Sequence, residues 1–119
     1  MNTELHHVNV TVRREDEAVT KAFYGEIVGL PEIPKPDPGR GGAWFQLGGL
    51  QLHLSVEEKR ENENSRRHIC IVVDDLTQAR ERFAVAGVAI LPDDRPIAGW
   101  SRFYVTDPGG NRIEVAQRP

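Results

Sequence analysis

The stretches GGLQLHL, at residues 48–54, and GGNRIEV, at residues 109–115, repeat one pattern and decide the predicted fold. Each is a diglycine turn followed by a strand-like run. The same shift of 61 positions (48 to 109) places HVNVTV, residues 7–12, on HICIVV, residues 68–73. Because one offset relates both pairs of segments, the sequence predicts an internal repeat.

Each copy of the repeat predicts the same order of elements, βαβββ. The first module, residues 1–58, and the second, residues 66–119, are joined by a polar linker at 59–65. The predicted strands are 5–12, 32–35, 43–47 and 50–56 in the first module and 68–73, 88–91, 102–106 and 112–117 in the second, with helices at 16–28 and 76–86. Two tandem βαβββ modules predict an α+β fold in which a curved mixed sheet forms a cup and the helices cover one sheet face.

Composition narrows the class of protein. A chain of 119 residues fits a single domain, and its net charge of −3 offers no basic surface for nucleic acid. No apolar run reaches the length of a membrane span, and residues 1–7 carry no signal-peptide core. Cys70 is the single cysteine, which excludes an intrachain disulfide framework. We therefore expect a cytoplasmic protein without nucleic-acid or membrane partners.

Alternation along the strands predicts a polar sheet face that carries ligands for a metal. His7, His53, His68 and Glu114 all lie opposite the apolar positions of their strands. Taken singly, each is more simply a hydrated surface residue. The repeat favours convergence, since residues 7 and 53, like 68 and 114, are 46 positions apart and symmetry-related positions meet when two modules pack about a pseudo-twofold axis. Three imidazoles and one carboxylate suit a divalent ion such as Zn²⁺, Fe²⁺, Mn²⁺, Co²⁺ or Ni²⁺.

Five segments carry a family resemblance: LHHVNVTV (5–12), KAFYGEIVGLPE (21–32), WFQLGGLQLHL (44–54), RRHICIVVDDL (66–76) and RFYVTDPGGNRIEV (102–115). Together they resemble the vicinal oxygen chelate superfamily, which includes glyoxalase I, extradiol dioxygenases, methylmalonyl-CoA epimerase, fosfomycin-resistance enzymes and bleomycin-binding proteins. The resemblance covers nearly the whole chain and implies the paired βαβββ fold.

The resemblance also implies which residues hold the metal. The ligands of the family lie on the first and last strands of each module, which here carry His7, His53, His68 and Glu114. Glyoxalase I enzymes usually have a carboxylate where this sequence has His53, so the glyoxalase reaction itself is in doubt. His7, His68 and Glu114 alone resemble the ligand sets of extradiol dioxygenases and fosfomycin-modifying enzymes. His53 is then either a fourth ligand or a residue that faces the substrate.

The expected function is that of a metal-dependent lyase or isomerase, in which the metal chelates two adjacent oxygens of a small oxygenated metabolite. Four protein ligands leave no position for O₂, which favours Lewis-acid chemistry with Glu114 as the base. The alternatives are a ring-cleaving extradiol dioxygenase and a non-catalytic protein that binds a drug or metabolite, as bleomycin-resistance proteins do. A homodimer is expected, with the two modules paired within one chain or exchanged between chains.

The wall of the cup is predicted from polar and aromatic residues near the ligands. The candidate substrate-binding residues are Asn9, Trp44, Trp100, Arg102 and Tyr104. Arg102 is the residue expected to meet an anionic substrate, while Phe45 and Phe103 are expected in the core.

Overall fold

Two four-stranded mixed sheets form the fold, one from each half of the chain. The structure, a computed structural model, describes residues 1–58 and 65–119. The strands are β1 (His7–Val12), β2 (Glu32–Ile33), β3 (Ala43–Leu47), β4 (Leu50–Val56), β5 (His68–Val72), β6 (Leu91–Pro92), β7 (Ser101–Thr106) and β8 (Arg112–Gln117), and the α-helices are α1 (Glu17–Ala22) and α2 (Leu76–Val85). A short 3₁₀ helix, Pro38–Arg40, lies between β2 and β3.

The two sheets have the same topology. Their strand orders are β1-β4-β3-β2 and β5-β8-β7-β6. In each sheet the first strand pairs in parallel with the last, and the other neighbours are antiparallel. The predicted α+β fold of two tandem βαβββ modules is therefore confirmed. The predicted linker, 59–65, lies outside the described residues except for Ser65.

Two predicted elements differ in kind or place from the structure, and the others differ by at most two residues at an end. The helix predicted at 16–28 is three segments in succession, a 3₁₀ turn (Arg14–Asp16), α1 and a π-helical turn (Phe23–Ile27). The strand predicted at 88–91 is displaced to Leu91–Pro92, because Val88 N–H donates to the Phe83 carbonyl at 3.0 Å and so still belongs to the turn that ends α2. Val88 and Ile90, which suggested a strand there, pack against the core without pairing.

One apolar core joins both modules. In the first module Tyr24 packs against Phe45, with ring centroids 6.1 Å apart, and in the second Phe83 packs against Phe103 at 6.0 Å. Phe23 contacts Phe83 across the modules at 5.9 Å. Phe45 and Phe103 are fully buried, as predicted. The helices of the two modules therefore share one core on the apolar faces of the sheets, and alternation leaves the polar side chains on the other faces.

The turn between β7 and β8 fastens the second module to the first. Asp107 is buried, accepts a hydrogen bond from the Tyr24 hydroxyl and is also bonded by Asn111. Asn111 Nδ2 donates to the Thr11 carbonyl of β1 at 2.9 Å. Gly109 lies so close to β1 that an added Cβ would be 3.0 Å from the Thr11 carbonyl oxygen. The segment DPGGN thus acts as a junction between modules as well as a turn.

Replacing the hydroxyl at this junction tests its contribution to stability. The Tyr24→Phe variant is expected to lower the free energy of unfolding by about 1–3 kcal/mol, because the buried Asp107 carboxyl loses a donor. Urea denaturation would measure the change, with Asp107→Asn as the second arm of a double-mutant cycle. The two substitutions should cost less together than the sum of their separate effects. Strictly additive effects would show that the two side chains do not stabilise each other.

Candidate metal centre

The polar face of the first sheet carries a stack of three rings. His7 on β1 lies parallel to His53 on β4, with centroids 4.0 Å apart and planes at 16°. Trp44 of β3, the cross-strand partner of His53, covers the other face of the His53 ring at 4.0 Å and 0°. His53 is only 7% exposed, and its Nε2 lies 2.9 Å from Gln51 Oε1. Because a carbonyl oxygen can only accept, Nε2 carries the proton in this contact.

This stack affects how His53 can act. Burial lowers the pKa of His53, and the neighbouring His7 and His6 lower it further, so the ring is neutral at physiological pH. A ring nitrogen binds a metal through a lone pair in the ring plane. Two nearly parallel rings therefore point their lone pairs side by side, and one ring must turn before both can bind the same ion. In the structure, therefore, the His53 ring packs against the His7 ring, and the two are not oriented to bind one ion together.

The polar face of the second sheet is organised around one carboxylate, Glu114 on β8. Its Oε1 lies 3.0 Å from His68 Nε2 and accepts from the Tyr104 hydroxyl at 3.3 Å. Its Oε2 accepts from Cys70 Sγ and from Arg102 Nη1, each at 3.4 Å. The residue is only 9% exposed, and the two neighbouring strands, β5 and β7, supply the groups that satisfy its nearly buried charge.

The hydrogen bonds of His68 identify its protonated nitrogen. Nδ1 lies 2.9 Å from the Arg66 carbonyl oxygen, which can only accept, so Nδ1 carries a proton. In the neutral ring Nε2 then holds a lone pair that faces Glu114 Oε1, another acceptor. The contact requires a proton, on the ring or on the carboxyl, or a cation shared by the two groups. Metal-binding histidines commonly show this arrangement, in which the distal N–H donates to a backbone carbonyl.

The other neighbours of Glu114 keep their protons at neutral pH. Burial, followed by the charge of Glu114, raises the pKa of Tyr104. Burial and Glu114 also raise the pKa of Cys70 to about 11. The phenol and the thiol are therefore hydrogen-bond donors to the carboxylate, and Cys70 is not an activated thiolate.

The four predicted ligands form two pairs, His7 with His53 and His68 with Glu114. Within residues 1–58 and 65–119, no three His, Cys, Asp or Glu side chains are placed to hold one metal ion together. A cleft of about 400 Å³ at the junction of the modules is lined by Asn9 of the first sheet and His68 of the second, among other residues. Each pair has donors that suit a borderline divalent metal, and each is half of the predicted set.

The predicted substrate-binding residues have different surroundings. Trp44 is in the ring stack, Tyr104 donates to Glu114, and Asn9 Oδ1 accepts from Ser55 Oγ at 2.8 Å. The Arg118 guanidinium lies over the Trp100 ring, 6.0 Å from the ring centroid. Arg102 forms ion pairs with Asp93 and Glu114.

Sequence reasoning missed two residues that contact this site. Cys70 is on the same strand face as His68, a position that alternation predicts, but its contact with Glu114 depends on the parallel register of β5 and β8. Asp93 follows β6 in a loop, where no periodic pattern indicates its direction.

Comparisons with known proteins agree with this architecture. The sequence profile of the Glyoxalase/Bleomycin resistance protein/Dioxygenase superfamily matches residues 4–115, and the chain belongs to this superfamily. A protein of Bacillus anthracis assigned to the glyoxalase family is 34% identical, and its structure covers 100% of this chain and 98% of its own with a TM-score of 0.89. A mutant of the fosfomycin resistance protein FosX from Listeria monocytogenes, complexed with Mn(II) and 1S,2S-dihydroxypropylphosphonic acid, shares the fold at 21% identity, with a TM-score of 0.86 and coverage of 100% and 95%.

A curated relative is longer than this chain. Pantothenate synthetase of Chromobacterium violaceum is 29% identical over 98 residues, which are 82% of this chain and 35% of that protein. The chain thus spans about a third of the length of this relative.

No helix within the described ranges is long and apolar enough to cross a membrane.

Proposed function

We propose that this protein is a divalent-metal-dependent lyase or isomerase that acts on a small oxygenated metabolite. The observation that carries the proposal is the contact between His68 Nε2 and Glu114 Oε1, 3.0 Å apart, with the His68 proton assigned to Nδ1. A cation between these groups would satisfy both acceptors. Zn²⁺, Fe²⁺, Mn²⁺, Co²⁺ and Ni²⁺ all fit a donor set of imidazole and carboxylate.

The proposed ligands are His7, His68 and Glu114. His53 is assigned to support His7, since the stacked rings do not direct their lone pairs to one point. The stack fixes the plane of the His7 ring, as packing and hydrogen bonds around a ligand generally do. This assignment leaves three positions on an octahedral ion, two for substrate oxygens and one that O₂ can occupy, so the catechol test below separates a lyase or isomerase from a dioxygenase.

A homodimer completes the proposed site. In one chain the two ligand pairs are separate, and the contact of Phe23 with Phe83 holds the helices of both modules in one core. We propose that the first sheet of one chain faces the second sheet of its partner, so that each cup combines His7 of one chain with His68 and Glu114 of the other. Such an isologous exchange would produce two equal sites.

The chain's own residues supply the acid–base groups. When bound, the metal acts as a Lewis acid that stabilises negative charge on chelated oxygens. Glu114 accepts a proton from the substrate, and the Tyr104 hydroxyl, which keeps its proton, donates a hydrogen bond to the carboxylate. Trp44 and Asn9 lie on the face that would form the opposite wall of the cup. The near-burial of Glu114 limits water at the base.

Metal analysis of protein purified without chelator tests the proposal. The wild-type chain is expected to retain about one divalent ion per complete site, and His68→Ala should lose it together with the thermal stabilisation that ligand binding confers. His53→Phe preserves a flat ring against Trp44 and should still bind metal, because His53 is assigned no bond to the ion. Absence of metal uptake by the wild-type protein after supplementation with each of the five metals would refute the proposal.

A substrate panel then separates the reaction classes. Fosfomycin, a glutathione hemithioacetal and a catechol represent epoxide opening, isomerisation and ring cleavage. Oxygen consumption with the catechol by iron-loaded protein would replace the proposal with a dioxygenase. Tight binding of a compound without turnover would replace it with a binding protein.

A further inference from the structure

The guanidinium of Arg102 lies between two carboxylates, and all three side chains are nearly buried, with exposures of 11–12%. Toward Asp93 it forms a two-pronged pair, Nε to Oδ2 at 2.8 Å and Nη2 to Oδ1 at 3.3 Å. Nη2 also donates to the Arg95 carbonyl at 2.7 Å, and Nη1 donates to Glu114 Oε2 at 3.4 Å. The arginine thus connects the loop after β6 to the carboxylate proposed as ligand and base.

The count of donors restricts what else Arg102 can bind. A guanidinium has five N–H groups, and the contacts with Asp93, Arg95 and Glu114 use four of them. Recognition of an anion by arginine usually needs a pair of parallel N–H bonds. Arg102 cannot offer such a pair to a substrate without giving up Asp93 or Glu114, so its predicted role as an anion contact does not fit this arrangement.

The Asp93 carboxylate is itself fixed by the backbone. Arg95 N–H donates to Asp93 Oδ1 at 3.0 Å. Asp93 directly follows β6, which pairs with Phe103 and Tyr104, the two residues that follow Arg102 in β7. A bidentate arginine–carboxylate pair is both strong and directional. Through Arg102 it ties Oε2 of Glu114 to the sheet, and Oε1 is left facing His68.

From this geometry we propose that Asp93 is a positioning residue that acts through Arg102 to hold the Glu114 carboxylate in its ligand orientation. The inference rests on the proposed function, since the orientation matters only if Glu114 binds a metal. It assigns Arg102 to the organisation of the site, in place of contact with the substrate.

Calorimetric titration of the metal-free dimer with Mn²⁺ alone tests the role of Asp93. Asp93→Asn keeps the size of the side chain but weakens the pair, and it is expected to reduce Mn²⁺ affinity about 10–100-fold, the usual effect of losing a group that orients a ligand. Arg102→Lys should weaken Mn²⁺ binding similarly, because an ammonium group cannot bridge both carboxylates with the same geometry.

Two control variants separate positioning from charge and from stability. Asp94→Asn removes the same charge at an exposed neighbouring position and should leave Mn²⁺ affinity unchanged. Tyr24→Phe destabilises the fold away from the site and should also leave it unchanged. Wild-type Mn²⁺ affinity in both Asp93→Asn and Arg102→Lys would overturn the proposal, as would an equal loss in Asp94→Asn.

A nuclear magnetic resonance measurement distinguishes this inference from the proposed function. The Arg102 Nε–H signal should be protected from solvent exchange in the wild type and in Asp94→Asn, and lose that protection in Asp93→Asn. If the wild-type protein binds no Mn²⁺ or other divalent metal, the proposed function fails and with it the ligand orientation of Glu114. Loss of protection in Asp93→Asn would then still support the Asp93–Arg102 contact, and an unchanged signal would overturn it.

Discussion

If the proposed exchanged dimer forms, a heterodimer of one His7→Ala chain and one Glu114→Ala chain is expected to bind about one metal ion, half of what two wild-type chains would bind. Each parent variant alone should bind none. If modules are exchanged, one cup of the heterodimer receives both substitutions and the other receives none, so an intact site is restored. Coexpression with two affinity tags, tandem purification and elemental analysis would measure the metal content.

A matched heterodimer reverses this expectation. When His7→Ala and Glu114→Ala are placed on the same chain and paired with a wild-type chain, each exchanged cup carries one defect, and metal should be absent. Sites formed within one chain predict the opposite pair of results, because the wild-type chain would keep its own site. Light scattering that gives a monomer mass for the wild-type protein at micromolar concentration would exclude the dimer on which the experiment depends.

The positions of strands could be predicted where apolar residues alternate along the sequence and turn residues bound the alternating run. β3, β4 and β8 begin and end at the predicted residues, since alternating apolar side chains run between the diglycine turn, the DPGGN turn and polar ends. β6 could not be located this way because a two-residue edge strand has no period. The apolar pattern could not predict the π-helical turn either. It forms where Val28 N–H donates to the Phe23 carbonyl at 2.9 Å, five residues back, and the apolar spacing there still fits an ordinary helix.

The site could be predicted as far as sheet faces and no further. Alternation placed all four predicted ligands on polar faces, and the structure has His7 beside His53 and His68 beside Glu114, because neighbours across parallel strands share a face. Whether the two pairs meet depends on how whole modules pack, and no local pattern in the sequence encodes that. The contact of Asp93 with Arg102 depends likewise on the path of a loop between two strands of the second sheet. Residues on regular elements were thus predictable, and their partners from loops were not.

Glu114→Gln is expected to lower turnover about 10²–10⁴-fold at saturating metal, the usual contribution of a general base. The amide keeps the size of the side chain, and its single oxygen can still accept a hydrogen bond from either Tyr104 or Arg102, but it cannot take a proton from the substrate. The rate would be measured with whichever panel compound the wild-type protein converts, after metal content has been equalised. Asp94→Asn, which removes an exposed carboxylate in the same module, should retain the wild-type rate. Unchanged turnover in Glu114→Gln would show that another group is the base. If the variant loses its metal and does not bind it again at high metal concentration, Glu114 would be assigned to metal binding alone.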